Sequence, residues 1–367
     1  MAYPFRVGYD ARFALGQYRG MGRVLRFSLG QYTQEFFGLC ADGETDSELK
    51  LVPKGFHFHP LWEQLSLPRR IRELELDLFL APFNTAPLSL PQSTRLVLVV
   101  HDLIFMEPLR RLPLSSSLYQ NLGRLYRRLV VPRAIRRASV VITDSEFSKR
   151  EIVSCFGTAP QFVRVIPVSI LKSWFLPAAL PLEERGNYIL CIAGESPSKN
   201  LPRALLGYSR LCALLSHEAP KLVIAGVSMA AQAGFRQIAR AAGVEHRVQF
   251  ASYLPFSDLQ ELYRQARLVL VPSLLEGFGI PVLEGMASGT PVVCSNATSL
   301  PEVAGDAAVF FDPLDPEQMA AGMAEVLEKP ARQQDMIARG FLQAQRFHPQ
   351  LIGCLWEDLW SELAAAK

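Results

Sequence analysis

The sequence is poor in the patterns that mark secreted, metallated or membrane-spanning chains. Its six cysteines, Cys40, Cys155, Cys191, Cys212, Cys294 and Cys354, stand singly, with no Cys-x-x-Cys pair and no histidine at zinc-ligand spacing beside them. Neither a disulfide framework nor a structural zinc site is expected, and scattered thiols of this kind suit a reduced compartment. Met1 to Phe13 lacks the basic start, apolar middle and small-residue cleavage site of a secretory leader, and no apolar run approaches bilayer length. The expectation is a cytosolic chain. A formal net charge of +3 excludes the strongly basic character of a wholesale nucleic-acid binder. Solenoid-period repeats and low-complexity tracts are absent too.

What is present is ordinary globular material: 367 residues, 49% hydrophobic and 20% charged, enough for two domains. Short apolar runs at Phe5–Tyr9, Leu78–Ala81, Leu96–Val100, Ser139–Thr143 and Val163–Ile166 alternate with helix-length segments, which is the rhythm of a buried parallel sheet. It restarts at Tyr188–Ala193, Lys221–Gly226, Val248–Phe250, Leu268–Val271, Pro291–Cys294 and Ala308–Phe311. The fold class read from this is α/β, with two doubly wound, Rossmann-like domains in tandem. Residues 1–172 form the first, 173–186, with Pro177, Pro181 and Gly186, a linker, and 187–347 the second. Residues 348–367 read as an amphipathic helix carrying Leu351, Leu355, Trp356, Leu359 and Trp360, whose apolar face needs a partner surface, with the N-terminal domain as one candidate.

Ligands of open parallel sheets bind beyond the carboxyl ends of the strands, so the residues just after each run carry the information. After Leu268–Val271 comes Pro272-Ser273-Leu274-Leu275-Glu276-Gly277-Phe278-Gly279-Ile280-Pro281-Val282-Leu283-Glu284-Gly285-Met286-Ala287-Ser288-Gly289. Gly277 and Gly279 permit a tight loop whose amides, with a helix N-terminus started by Pro281, make an anion site suited to a diphosphate. Glu276 lies in that loop and Glu284 in the helix, like the acid that holds ribose hydroxyls in dinucleotide folds. Taken alone, each glutamate reads as well as a solvated loop charge or a charge placed on the helix dipole. After Tyr188–Ala193, Lys199 in Gly194-Glu195-Ser196-Pro197-Ser198-Lys199-Asn200 can neutralise a diphosphate, or be only a solvated charge near a helix start. His101-Asp102 follows Leu96–Val100, and a glycine-rich turn, Gly16, Gly20 and Gly22, precedes a helical pattern over Arg23–Tyr32.

The string from Glu276 to Glu284 resembles the Glu, seven residues, Glu signature of the family 4 retaining glycosyltransferases, with its Glu-Gly-Phe-Gly start intact, and in its N-terminal half the chain is most similar to bacterial mannosyltransferase-like members. Thr290-Pro291-Val292-Val293-Cys294 and Leu300-Pro301-Glu302-Val303-Ala304-Gly305 continue the likeness. The resemblance implies a GT-B fold, two Rossmann-like domains facing across a cleft. By it Glu276 contacts the donor sugar, Phe278 and Gly279 offer amides to phosphate or sugar, Glu284 holds the ribose and Lys199 meets the diphosphate. The family's usual arginine in the Lys199 loop is missing, and Glu195 adds a negative charge there. Gly22 would meet the phosphates, and His101 would orient the donor and support developing positive charge through its carbonyl or ring. Gln249–Pro255 resembles the segment that recognises the nucleobase, with Tyr253 and Leu254 nearest. Ser145, in Thr143-Asp144-Ser145-Glu146-Phe147-Ser148, reads first as a helix cap.

No Asp-x-Asp pair offers a metal clamp, so the expected chemistry is metal-independent and needs no cofactor beyond the GDP- or UDP-linked sugar donor. The resemblance implies transfer with retention, the acceptor attacking the face the nucleotide leaves, toward a glycan or lipid-linked acceptor of cell-surface polysaccharide. A catalytically silent nucleotide-sugar-binding subunit is the rival of a different class. Between Arg110 and Arg137 the chain holds Arg124, Arg127 and Arg128 among eight arginines and no acid. Leu118, Leu122, Leu125 and Leu129 share one helical face, and Pro132 should kink or break the helix. Two readings stay open: a basic surface touching anionic lipid at the inner face of the membrane, or a solvated arginine face over leucines in the core.

Overall fold

The computed structural model describes residues 5–15, 20–32, 34–114, 117–175, 178–215 and 219–365. Gly16 and Pro177 of the sequence patterns lie outside the described residues. The chain divides into two compact units, residues 1–107, 117–169 and 349–367 in one and 108–116 with 170–348 in the other.

In the first unit β1 (Val7–Asp10), β2 (Phe37–Cys40), β3 (Leu51–Pro53), β4 (Leu78–Ala81), β5 (Arg95–Val99), β6 (Val140–Thr143) and β7 (Val163–Val165) form a seven-stranded sheet in the order β3-β2-β1-β4-β5-β6-β7. Every pairing is parallel. The order turns back between β1 and β4, the switch point at which ligands sit in such sheets. Its helices are α1 (Gly20–Leu29), α2 (His59–Leu61), a π-helical turn (Trp62–Ser66), α3 (Leu67–Glu73), α4 (Leu118–Arg137) and α5 (Glu146–Phe156). β2 and β3 have no counterpart in the sequence reading. β2 carries Gly38 mid-strand and β3 ends on Pro53, so neither shows a run of branched apolar residues.

The second sheet has six strands, β8 (Tyr188–Ile192), β9 (Lys221–Ala225), β10 (Val248–Ala251), β11 (Leu268–Val271), β12 (Val292–Ser295) and β13 (Ala308–Phe311), ordered β10-β9-β8-β11-β12-β13. They too are all parallel, with the switch between β8 and β11. Around them lie α6 (Leu201–Leu214), α7 (Met229–Ala241), α8 (Phe256–Gln265), α9 (Ile280–Ala287), α10 (Leu300–Ala304), α11 (Pro316–Glu328) and α12 (Pro330–Gln345). Segment 173–186, read as a linker, is anchored to this unit. Trp174 is buried edge-on against Tyr263 at 5.1 Å, and Arg185 donates to the carbonyls of Leu180, Ala266 and Gly289.

The last helix, α13 (Pro349–Ala365), belongs to the first unit. Ile352, Trp356, Leu359 and Trp360 enter the apolar cluster of Val7, Tyr9, Leu25 and Leu29, and Trp360 Nε1 donates to the Ser28 carbonyl at 3.1 Å. Leu351 and Leu355, read as part of the same face, are exposed. An offset of one residue, about 100° around the helix, thus separates the buried stripe from the exposed leucines.

α4 overturns the reading of a solvated arginine face over core leucines. Leu118, Leu122, Leu125 and Leu129 are 72%, 57%, 54% and 53% exposed, whereas Arg124 is buried. The arginines turn inward because the 3-10 turn after β5 leaves carbonyls to satisfy. Arg124 Nε donates to Phe105 O at 3.3 Å, Arg128 Nε to the same oxygen at 2.7 Å, and both guanidinium groups reach Glu107 O. Five fixed donors on each guanidinium suit it to such carbonyl clusters. Val130, Val131, Ala134 and Ile135 supply the apolar contacts at the other end. Pro132 does not end the helix, which runs on to Arg137; the Arg133 guanidinium donates to Leu129 O, beside the turn that lacks the proline N–H.

Candidate functional site

Each unit gathers a polar cluster at the carboxyl ends of its own strands. In the second unit the cluster forms around β11 and β8. The loop Glu276–Gly279 leaves β11, with Gly279 at φ +111° as N-cap of α9; a Cβ there would lie 2.5 Å from Leu300 Cδ2, so only glycine fits. Pro281 stands in the first turn, and beyond Ser288 the left-handed Gly289 lets Thr290 N reach Gly285 O at 2.9 Å, closing the helix C-terminus. The Phe278 ring is buried against Phe347, centroids 5.4 Å apart, and its carbonyl accepts from Ser299 Oγ at 2.8 Å. Among the described residues the N–H groups of Phe278 and Gly279 find no acceptor, and they lie at the positive end of α9.

Glu276 and Lys199 meet across the β8 and β11 loops. Lys199 Nζ lies 2.7 Å from Glu276 Oε1, and Ser273 Oγ donates to the same oxygen at 2.7 Å. The Glu276 backbone is pinned as well, its N–H donating to Thr298 Oγ1 at 3.1 Å and its carbonyl accepting from Ser299 Oγ at 3.1 Å. Lys199 closes a 3-10 turn, Pro197–Lys199, followed by Asn200 at φ +57°. Asn200 Nδ2 ties that turn to the carbonyls of Pro272 and Pro313 at 3.0 and 2.7 Å, and Leu274 N donates to Ser198 O at 2.7 Å, so the two loops move as one piece. Glu195 is directed elsewhere. Its Oε1 accepts from Ser228 N at 2.8 Å at the start of α7, and those hydrogen bonds hold its carboxyl below the usual range.

Glu284 is buried, and Tyr263 donates to its Oε2 at 2.8 Å. Burial and then the neighbouring carboxylate drive the Tyr263 phenol far above its ordinary value, so it remains a donor. Leu254 lies apart from this group, after β10, where it lines a cavity of about 790 Å³ with Tyr188, Val223, Phe250 and Leu262. None of Lys199, Glu276 or Glu284 lines that cavity.

In the first unit Asp10 ends β1 and is buried, held by Arg12 Nε and Nη2 at 3.0 and 2.7 Å and by Trp62 Nε1 at 3.3 Å. Gly22 lies within the first turn of α1. His101 lies just beyond β5 with every polar group engaged. Its N–H donates to Asn84 Oδ1 at 2.7 Å, Nδ1 lies 2.8 Å from Asp144 Oδ2, Nε2 lies 2.9 Å from Pro82 O, and its carbonyl accepts from Ser148 Oγ at 3.3 Å. Both ring nitrogens face acceptors, which calls for the doubly protonated ring. Burial alone lowers its pKa, but the charge and hydrogen bond of Asp144, with Asp102 and the Pro82 carbonyl, raise it to about 9. Asp102 Oδ1 accepts from Ile104 N at 3.0 Å, and burial raises its pKa. Ser145 caps α5, accepting from Ser148 N at 3.1 Å.

Lys199, Glu276, Phe278 and Gly279 are thus brought together, with Gly277 between them and Glu284 along the same helix, while Leu254 is three strands away in sheet order. His101 and Gly22 belong to the other unit. Residues that sequence reasoning passed over include Ser273, Thr298, Ser299, Tyr263, Asn84 and Asp144. Asp144 follows β6 directly and Asn84 lies three residues after β4, so the rule applied to His101 reaches them too. Tyr263 lies inside α8, where only a buried hydroxyl would have marked it.

Two parallel α/β sheets, each turning back at a central switch point, define the GT-B class of glycosyltransferase fold. Sucrose-phosphate synthase from Thermosynechococcus elongatus shares it with a TM-score of 0.76 at 16% identity, over 99% of this chain and 100% of that one. Residues 37–170 match the Glycosyltransferase Family 4 model and residues 172–343 the Glycosyl transferases group 1 model; the chain belongs to glycosyltransferase family 4. It is 33% identical over 220 residues to O-antigen chain mannosyltransferase B of Escherichia coli, covering 57% of each chain. Over 202 residues it is 28% identical to the MMP alpha-(1->4)-mannosyltransferase of Mycolicibacterium hassiacum, covering 54% of this chain and 47% of that one. The matched region therefore spans about half the length of these relatives.

Proposed function

We propose that the protein is a retaining hexosyltransferase that moves mannose, or a glucose-type sugar, from a GDP- or UDP-linked donor to a glycan or lipid-linked acceptor in cell-surface polysaccharide synthesis. The observation that carries this is the joined loop pair of the second unit. Lys199 and Glu276 are 2.7 Å apart beside the unspent N–H groups of Phe278 and Gly279. A diphosphate there would take the lysine and the α9 N-terminus as its electrostatic partners, the charge stabilisation that departure of a nucleotide requires. Glu276, released from Lys199, would accept from sugar hydroxyls.

The sheet order supports the rest of the donor's footprint. Leu254 after β10 and Glu276 after β11 are separated by three strand spacings, roughly 14 Å, a span that an extended nucleoside diphosphate sugar fills. Glu284, oriented by the Tyr263 hydroxyl, is the acid for the ribose. His101, with its ring nitrogens spent on Asp144 and Pro82, would act through its carbonyl and not as a proton shuttle, since a protonated ring repels the positive charge that develops on the sugar. Mannose is the preferred sugar because the two curated relatives reported are both mannosyltransferases.

The test is nucleotide release from a panel of GDP-, UDP- and ADP-sugars, with and without EDTA, with oligomannoside and polyprenyl-diphosphate acceptors present. The reading predicts release from one donor, unaffected by EDTA, and an α-configured product by proton NMR. Tight binding of a donor with no release under any condition would replace it with the silent-subunit reading.

A further inference from the structure

The outward leucines of α4 have no use in the donor chemistry. Leu118, Leu122, Leu125 and Leu129 are spaced to share one meridian of the helix, and each is more than half exposed. The same meridian then carries Arg133 and Arg136, both exposed. The apolar stretch is about 16 Å long and the whole line about 27 Å. Tyr119, 75% exposed, stands beside it at the N-terminal end. The neighbouring segment adds exposed Leu61 and Leu65. It is fastened to α4 by Gln64 Nε2 donating to Tyr126 Oη at 2.9 Å and by Tyr126 Oη donating to Glu63 Oε2 at 2.5 Å. An apolar surface this continuous is uncommon on a monomeric soluble unit.

We propose that this face of α4 docks flat on an anionic lipid bilayer, the leucines and Tyr119 entering the acyl boundary and Arg133 and Arg136 meeting lipid phosphates. Three features select lipid over other occupants. The leucines project from a single helix, each more than half exposed. The apolar stretch gives way to cations along a single line, and the sequence from 108 to 139 holds no acid, as a helix in the plane of an anionic interface requires. A second copy meeting α4 across a twofold axis in antiparallel register would bring Arg133 and Arg136 of each copy onto Leu118 and Leu122 of the other, burying unpaired charge. The helix cannot roll to hide its leucines, because Arg124 and Arg128 are bound to the carbonyls of the turn after β5.

The inference rests on the proposed function only for its purpose, bringing the enzyme to a lipid-borne acceptor; docking is measured without turnover. Vesicle flotation with the full-length protein compares phosphatidylglycerol vesicles with phosphatidylcholine vesicles for wild type, Leu122→Gln/Leu125→Gln and Arg133→Gln/Arg136→Gln. Wild type is expected to float with phosphatidylglycerol and not with phosphatidylcholine. The leucine pair should weaken partitioning at least about tenfold, and the arginine pair about tenfold or more, an effect that fades in high salt. All three should keep the same thermal midpoint and the same nucleotide release from soluble donor, which separates a failure of docking from a failure of the enzyme reading. Floating of the leucine variant like wild type, or no floating of wild type on anionic vesicles, overturns the proposal. A wild-type dimer that the leucine variant converts to monomer, with vesicle binding absent, assigns the face to a second copy instead.

Discussion

The Tyr263 hydroxyl donates to Oε2 of Glu284 at 2.8 Å, with both side chains buried under the second sheet's carboxyl edge. This bond fixes the rotamer of the acid assigned to the ribose, and it depends on a residue from a different helix. Tyr263 is in turn held by its carbonyl, which accepts from Thr290 Oγ1 at 2.7 Å just past α9.

Tyr263→Phe removes that donor and leaves a buried carboxylate with one partner fewer. Donor KM should rise about three- to tenfold with kcat little changed, the signature of lost ground-state and transition-state binding alike. Steady-state titration of the donor measures both. An unchanged KM would remove Glu284 from the ribose role.

The His101–Asp144 pair predicts a pH dependence of stability. His101 titrates near 9 in the fold against an ordinary value of 6.5. A raised folded pKa contributes stability that is fully present below the unfolded value and is lost as pH climbs through the folded one. Wild-type stability should therefore decline between pH 6.5 and 9, by on the order of 3 kcal/mol. His101→Gln and Asp144→Asn should both flatten that decline. Urea titrations at intervals across the window give the slope, and an equal slope in the variants would contradict the charged-ring assignment.

α13 is a structural part of the first unit. Trp360 is buried edge-on against Phe36, centroids 5.3 Å apart, with its indole N–H on Ser28 O. Trp360→Ala should cost about 3–5 kcal/mol and lower the denaturation midpoint of the first unit while the second keeps its own. Fluorescence and hydrogen exchange resolved by unit would detect the difference.

These cases also mark what the sequence made legible. The parallel strands of the second unit were readable because each is a run of buried apolar residues bounded by loop residues, and Glu276 and Glu284 because one strand–loop–helix string carries both. α4 misled because periodicity states only that leucines share a face, not which way it points. Inward arginines become legible only when the turn Ile104–Met106 supplies carbonyls for them. The 173–186 segment looked like a free connector because prolines hide the burial of Trp174. Tyr263 and Ser273 were missed for a related reason: a lone hydroxyl inside a helix or loop gives no spacing signal until its partner carboxylate is located.

In the proposed reaction Glu276 belongs to the donor machinery, not merely to an ion pair with Lys199. The direct measurement is nucleotide release at saturating donor for wild type and Glu276→Ala, with the nucleotide's Kd determined by calorimetry on both. Glu276→Ala should lower release by about 100-fold or more with nucleotide Kd changed only a few-fold. Release by Glu276→Ala at the wild-type rate would contradict it.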